Sequence, residues 1–187
     1  MRVVAGESRG RRLAPVPAGT RPVSDRAREG LFSSLGELVQ GARVLDLFAG
    51  TGALGIEALS RGAASATFVE RSPEAIDTIH DNLERTGMKE RARVLRRDAR
   101  KFVTGPSEVP AKHGETYDLV LADPPYDTPP RTLDALVRGI SALLAGPGGA
   151  AVLTRPHKGY MPVVPVSLRV ARRLRYGDSL ILVYREV

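Results

Sequence analysis

A chain of 187 residues, 42% hydrophobic and 26% charged, fits one domain with a sizeable core; no stretch approaches the roughly 18 continuous apolar residues of a membrane helix. With no cysteine, disulfides, thiolate zinc sites and cysteine nucleophiles are excluded, and the scattered His80, His113 and His157 predict no metal site. The net charge of +7 and a pI of about 10.2 point to a polyanionic partner.

The N-terminus, "MRVVAGESRGRR", is basic where a signal peptide needs its apolar segment, so a soluble cytoplasmic protein is expected. "RVVAG" and "RRLAPV", linked by "ESRG", predict a short hairpin with Arg9, Arg11 and Arg12 near its tip. "AGTRP" is a loop. From Ser24, an N-cap, apolar residues Ala27, Leu31, Phe32, Leu35, Leu38 and Val39 recur at helical spacing up to Gly41. Residues 1–40 therefore read as an extension ahead of a main domain at 41–187.

Strand and helix then alternate. "RVLDLFA" is a buried strand, 52–61 a helix, "ATFVE" a strand and Pro73–Thr86 a helix opened by its proline. "ARVLRRD" is a strand followed by a short helix or loop, and "TGPSEVPAKHGE" an exposed loop. "YDLVLAD" is a strand, Arg131–Leu144 a helix closed by "AGPGG", and "AAVLTR" a fifth strand. "VSLRVARRLRYG" and "SLILVYRE" form a terminal hairpin turning near "YGD". Such repeated units predict an α/β, Rossmann-like, doubly wound parallel sheet with an antiparallel terminal hairpin. Charge is uneven along it: residues 1–30 carry +4, residues 150–187 carry +5, and the middle carries −2.

In such a sheet, ligands bind outside the carboxyl ends of the strands. "DLFAGTGALG", residues 46–55, holds G-x-G-x-x-G at Gly50, Gly52 and Gly55, a pattern shared by nicotinamide dinucleotide sites. Asp46, Glu70 and Asp98 each fall at a strand end, and Glu70 lies where a ribose-binding carboxylate is expected. Charge separates the ligands. A dianionic pyrophosphate is repelled by Asp46, whereas the sulfonium and ammonium of S-adenosylmethionine are attracted, so S-adenosylmethionine is the expected cofactor. The fourth strand ends in "ADPPY". Two prolines remove backbone donors and fix φ, so Asp123 and the Pro124 carbonyl can both accept from one exocyclic amine while Tyr126 stacks on the ring carrying it. Two acceptors on its hydrogens favour pyramidalisation of that amine and expose its lone pair to an electrophilic methyl group.

Asp123, Pro124, Pro125 and Tyr126 resemble the motif of amino-methyltransferases acting on adenine, cytosine, guanine and glutamine amides. More narrowly, "RVVAGESRGRRL", "TRPVSDRAREGLFSSL", "DLFAGTGALGIEALSRGA" and "DPPY" together resemble the bacterial 16S ribosomal RNA (guanine-N2)-methyltransferase family. The resemblance covers nearly the whole chain, and the "TRP…DR.RE.LF" segment is its most specific part. It implies methylation of guanine 966 of 16S rRNA, in the small subunit or an assembly intermediate, by a monomer. It also implies roles. Asp46, Gly50 and Gly52 surround the methionine end of the cofactor, Glu70 meets its ribose, Asp98 and Ala99 its adenine edge, and Phe48 and Arg71 are further cofactor contacts. Thr20, Arg21, Pro22 and Asp25 help close the cofactor site, and Asp123 to Tyr126 are catalytic. The loop at 104–116 is longer than this pattern suggests.

Arg9, Arg11 and Arg12 are the expected RNA contacts; Arg172, Arg173 and Arg175 serve equally well as a charged edge that discourages strand pairing. Three rival readings differ in testable ways. A DNA adenine methyltransferase shares "DPPY" but needs a recognition domain for which 187 residues leave little room. A protein glutamine methyltransferase would carry Asn at position 123. A non-catalytic RNA-binding module would not need its glycine turn, carboxylates and "DPPY" all intact.

Overall fold

The computed structural model describes residues 1–15, 23–105 and 115–187. Thr20, Arg21, Pro22 and most of the loop at 104–116 lie outside the described residues. Helix α1 (Asp25–Leu35) starts at Ser24, whose hydroxyl accepts from Ala27 N, and stops at Gly36, which takes φ 58°. A 3₁₀ turn follows at Gly36–Val39. The alternating part runs β1 (Arg43–Leu47), α2 (Ala53–Ser60), β2 (Ser65–Glu70), α3 (Pro73–Thr86), β3 (Ala92–Arg96), α4 (Ala99–Thr104), β4 (Leu119–Ala122), α5 (Pro130–Ser141) and β5 (Ala150–Pro156), and the hairpin β6 (Leu168–Tyr176) and β7 (Ser179–Glu186) ends it.

One seven-stranded sheet results, in the order β3-β2-β1-β4-β5-β7-β6. Strands β1 to β5 are parallel, and β7 is antiparallel to both β5 and β6. Alternation along each buried strand divides the apolar side chains between two layers. Val44, Phe68, Leu121 and Val152 pack with Leu31, Phe32, Ile56 and Ile79 of α1, α2 and α3. Leu45, Val69, Val120 and Leu153 pack with Leu136, Val137 and Ile140 of α5. The order reverses between β1 and β4, which opens a crevice over their carboxyl ends.

The N-terminal stretch makes a looser hairpin than its pattern predicts. One bridge joins Arg2 to Arg12, supported by Val3 N to Arg11 O at 3.0 Å and Gly10 N to Val3 O at 2.9 Å. Its other donors turn to α2 instead. Val4 N and Ala5 N reach the buried Glu57 carboxylate at 2.8 and 3.0 Å, and Ser8 N reaches Ser60 Oγ at 3.1 Å. Val3, Leu13, Leu31 and Phe32 share one apolar layer with the sheet.

Candidate active site

A cleft of about 900 Å³ lies over the carboxyl ends of β1, β2 and β4. Its floor is the turn from β1 into α2. Phe48 takes φ 58°, a conformation a bulky side chain rarely adopts, and Gly50 and Gly52 take 55° and 76°. A Cβ on Gly50 would meet nothing nearer than Phe48 O at 3.9 Å, so the backbone there is open to a ligand. The third glycine has a different task. A Cβ on Gly55 would fall 2.4 Å from the Phe68 ring, so Gly55 lets α2 sit against β2.

The structure places Asp46, Glu70 and Asp98 along this cleft. Asp46 is buried and accepts from Gly55 N at 2.9 Å. Burial, aided by the charges of Asp123 and Glu70, holds it well above the usual carboxylate range despite that bond. Glu70 accepts from Gly50 N, Arg71 N and Ser72 N at 2.9, 2.7 and 2.9 Å, which ties the end of β2 to the glycine turn. Asp98 caps α4 through Arg100 N and grips the Arg100 guanidinium at 2.6 Å, with Arg71 at 3.8 Å. The Arg100 hydrogen bond holds Asp98 down to about 2. Its oxygens are thus engaged within the protein, and Ala99 beside it also lines the cleft.

Asp123, Pro124, Pro125 and Tyr126 form the opposite wall. Burial raises Asp123 to about 7, opposed by the Thr154 hydroxyl and the Arg155 charge. The Tyr126 hydroxyl lies 2.7 Å from Ser179 Oγ, which pins the ring to the start of β7.

Several expected residues are placed elsewhere. Asp25 is not among the described residues lining the cleft; Arg28 Nη2 reaches its carboxylate at 2.8 Å, and Arg2 lies 3.8 Å away. The cause is Arg28, wholly buried in α1, whose charge needs a local partner. Arg9, Arg11 and Arg12 do not reach the cleft either. Arg11 donates to Arg85 O at 3.2 Å and the Ser8 hydroxyl to Thr86 O at 3.0 Å, at the far end of α3. The pattern reading missed Arg97 and Arg100 on the cleft rim and Arg155 behind its wall. The last had a signal: a charge ending the apolar run "AAVLTR". Among the described residues no acidic or histidine cluster could hold a metal ion, and no helix is long and apolar enough to cross a membrane.

The family described as conserved hypothetical protein 95 matches residues 1–185. The chain belongs to that family. YlbH of Bacillus subtilis strain 168, named as a candidate rRNA methyltransferase, is 34% identical over 188 residues, spanning 100% of this chain and 99% of that protein. Ribosomal RNA small subunit methyltransferase D of Escherichia coli K12 is 41% identical over 128 residues, 67% of this chain and 60% of that protein. A solved structure of yhhF, a candidate methyltransferase from Escherichia coli, superposes with a TM-score of 0.82 at 33% identity, covering 100% of this chain and 97% of that one. YlbH and yhhF are thus matched along nearly their whole length, and small subunit methyltransferase D over 60% of its own.

Proposed function

We propose that this protein methylates the exocyclic N2 amine of a guanine in 16S rRNA, guanine 966 by family resemblance, in the small subunit or its assembly intermediate. Relatives named as rRNA methyltransferases support the rRNA part of this reading. The observation that carries the chemistry is one cleft holding two carboxylates, the buried Asp46 and the half-buried Asp123, both raised above their ordinary range. Raised carboxylates facing one another favour a cationic ligand and disfavour a pyrophosphate.

S-adenosylmethionine is the cofactor, and it supplies an electrophilic methyl group beside a positive sulfonium. The residues present fit it. Gly50 leaves its backbone open, Asp46 offers buried negative charge, and Glu70, bound by three N–H groups, keeps acceptor capacity for ribose hydroxyls. Arg71, Arg97 and Arg100 rim the same end.

On the opposite wall Asp123 and the Pro124 carbonyl provide two acceptors for one amine. Pro124 and Pro125 have no N–H to compete, and φ is fixed at both. The Tyr126 ring, held by Ser179, offers a face on which a flipped base stacks. Asp123 at about 7 is an acceptor for the proton an amine releases on methylation. Thr20, Arg21 and Pro22 close the site in this reading, Asp25 supports that closure only through Arg28, and the protein works as a cytoplasmic monomer.

The test is methyl transfer from labelled S-adenosylmethionine to small subunits lacking the modification, followed by nucleoside mass spectrometry. N2-methylguanosine at one position is expected; label in adenine, in protein or nowhere would overturn the reading. Asp46→Ala and Glu70→Ala are each expected to weaken S-adenosylmethionine binding by about ten- to a hundred-fold in calorimetric titration, since each removes a charge-assisted interaction.

A further inference from the structure

Behind the catalytic wall lies a charge that the proposed reaction has not used. Strands β4 and β5 pair up to Ala122 and Leu153, so Thr154 comes beside Asp123 and Arg155 beside Pro124. Three residues past Asp123, the Tyr126 hydroxyl is fastened to Ser179 of β7, which pairs with Pro156 on the far side of β5. The Asp123–Tyr126 segment thus crosses the end of β5, and Arg155 lies where it crosses. Arg155 is only 2% exposed. Its Nε and Nη1 have no hydrogen-bond partner among the described residues. A fold that needed only to fill this space would do so at less cost with an apolar side chain.

We propose that Arg155 is a positioning residue for methyl transfer, its buried guanidinium keeping the Asp123 carboxylate an anionic acceptor for the target amine. This rests on the catalytic role assigned to Asp123 above. The groups facing Asp123 are few. From the neighbouring strand β1 comes Asp46, whose own carboxyl is raised by burial and by the charges of Asp123 and Glu70. From β5 come the Thr154 hydroxyl and Arg155, which favour it. Tyr126 and Tyr184 are the other groups near the guanidinium, and burial raises the Tyr184 hydroxyl to about 12. Arg155 is then the cation that opposes the effect of burial on Asp123, and it does so from inside the sheet, where salt does not screen it.

The variants are Arg155→Met, which keeps much of the volume and removes the charge, and Arg155→Lys, which keeps the charge. Carbon NMR of protein labelled at the Asp carboxyls, with Asp123→Asn to assign the resonance, follows ionisation directly. In Arg155→Met the Asp123 midpoint is expected to rise by about one unit or more, and in Arg155→Lys to stay within about half a unit of wild type. The acid limb of the methyl-transfer rate should move with it, while S-adenosylmethionine affinity holds. Should Arg155→Met fail to fold, Arg155→Gln carries the same expectation. An unmoved Asp123 midpoint in a folded, uncharged variant overturns the proposal. A wild-type protein that methylates no rRNA would instead sink the functional reading, and the carboxyl titration would still decide what Arg155 does.

Discussion

Asp123 concentrates the site's chemistry in one side chain, because its acceptor strength depends on ionisation and its burial resists ionisation. With its pKa raised to about 7, the methyl-transfer rate is expected to climb as pH rises through that value and level off above it. Asp123→Ala should lower single-turnover transfer by at least about a hundred-fold, comparable to losing one oriented hydrogen-bonding group at a reacting centre, and leave S-adenosylmethionine affinity within a few-fold of wild type. A variant retaining near-normal transfer would remove Asp123 from the mechanism. Stability follows the same group with a definite sign. A carboxyl raised on folding binds more protons in the folded chain than in the unfolded one between its ordinary 3.8 and about 7, so stability falls as pH rises through that window. Asp123→Asn cannot titrate. Its melting temperature relative to wild type should therefore improve between pH 4 and pH 8, which calorimetry at the two pH values checks.

At the scale of elements, much of the architecture was legible because its signals are local. Pro73 opens α3, the Ser72 hydroxyl accepts from Ala75 N, and Gly87 closes the helix at φ 73°, so the span Pro73–Thr86 follows from sequence. The apolar run "YDLVLAD" reads as a strand, and β4 is buried throughout. What failed to show were partners distant in sequence. The hairpin pattern in "RVVAG" and "RRLAPV" is genuine, yet Glu57, more than 50 residues away, takes the N–H groups of Val4 and Ala5. Arg28 is wholly buried in α1 and draws the Asp25 carboxylate to it. The insertion of β7 between β5 and β6 was likewise invisible, since either hairpin strand could have paired with β5. Packing between elements offers its own test at Gly55. A methyl group there would lie 2.4 Å from the Phe68 ring and 3.1 Å from Asp46 Oδ2, so α2 must move off the sheet. Gly55→Ala is expected to destabilise the fold by about 1–3 kcal/mol in denaturant unfolding. It should also weaken S-adenosylmethionine binding, because Asp46 shifts with the helix. Unchanged stability would mean that the helix–sheet contact is looser than this geometry requires.

Across the whole molecule, the basic N-terminal segment is spread along the fold: α1 packs against β6, while the turn before Arg11 sits on the far end of α3. α3 begins at the cleft with Ser72 and Ala75 and ends at Thr86, against which the N-terminal turn is anchored. At 14 residues that helix is about 21 Å long, and Arg11 is fastened to Arg85 O at its far end. β6 runs the other way, towards the cleft, carrying exposed Arg169, Arg172, Arg173 and Arg175 to a hairpin whose Ser179 holds Tyr126. An RNA short enough to cover only the cleft should therefore touch the β6 arginines and leave the N-terminal ones in water, whereas a small-subunit particle is large enough to engage both. Neutralising Arg172, Arg173 and Arg175 together is expected to flatten the slope of log affinity against log salt by about two to three units for either substrate, one per lost phosphate contact. Neutralising Arg9, Arg11 and Arg12 should leave the slope for a short RNA stem-loop unchanged and flatten it only for the particle. Binding measured at several salt concentrations, with both substrates and both triple variants, separates these outcomes. If the N-terminal triple flattened the slope for the short RNA, the RNA would have to run from the cleft down the α3 side of the sheet, and the β6 arginines would be left as a charged edge.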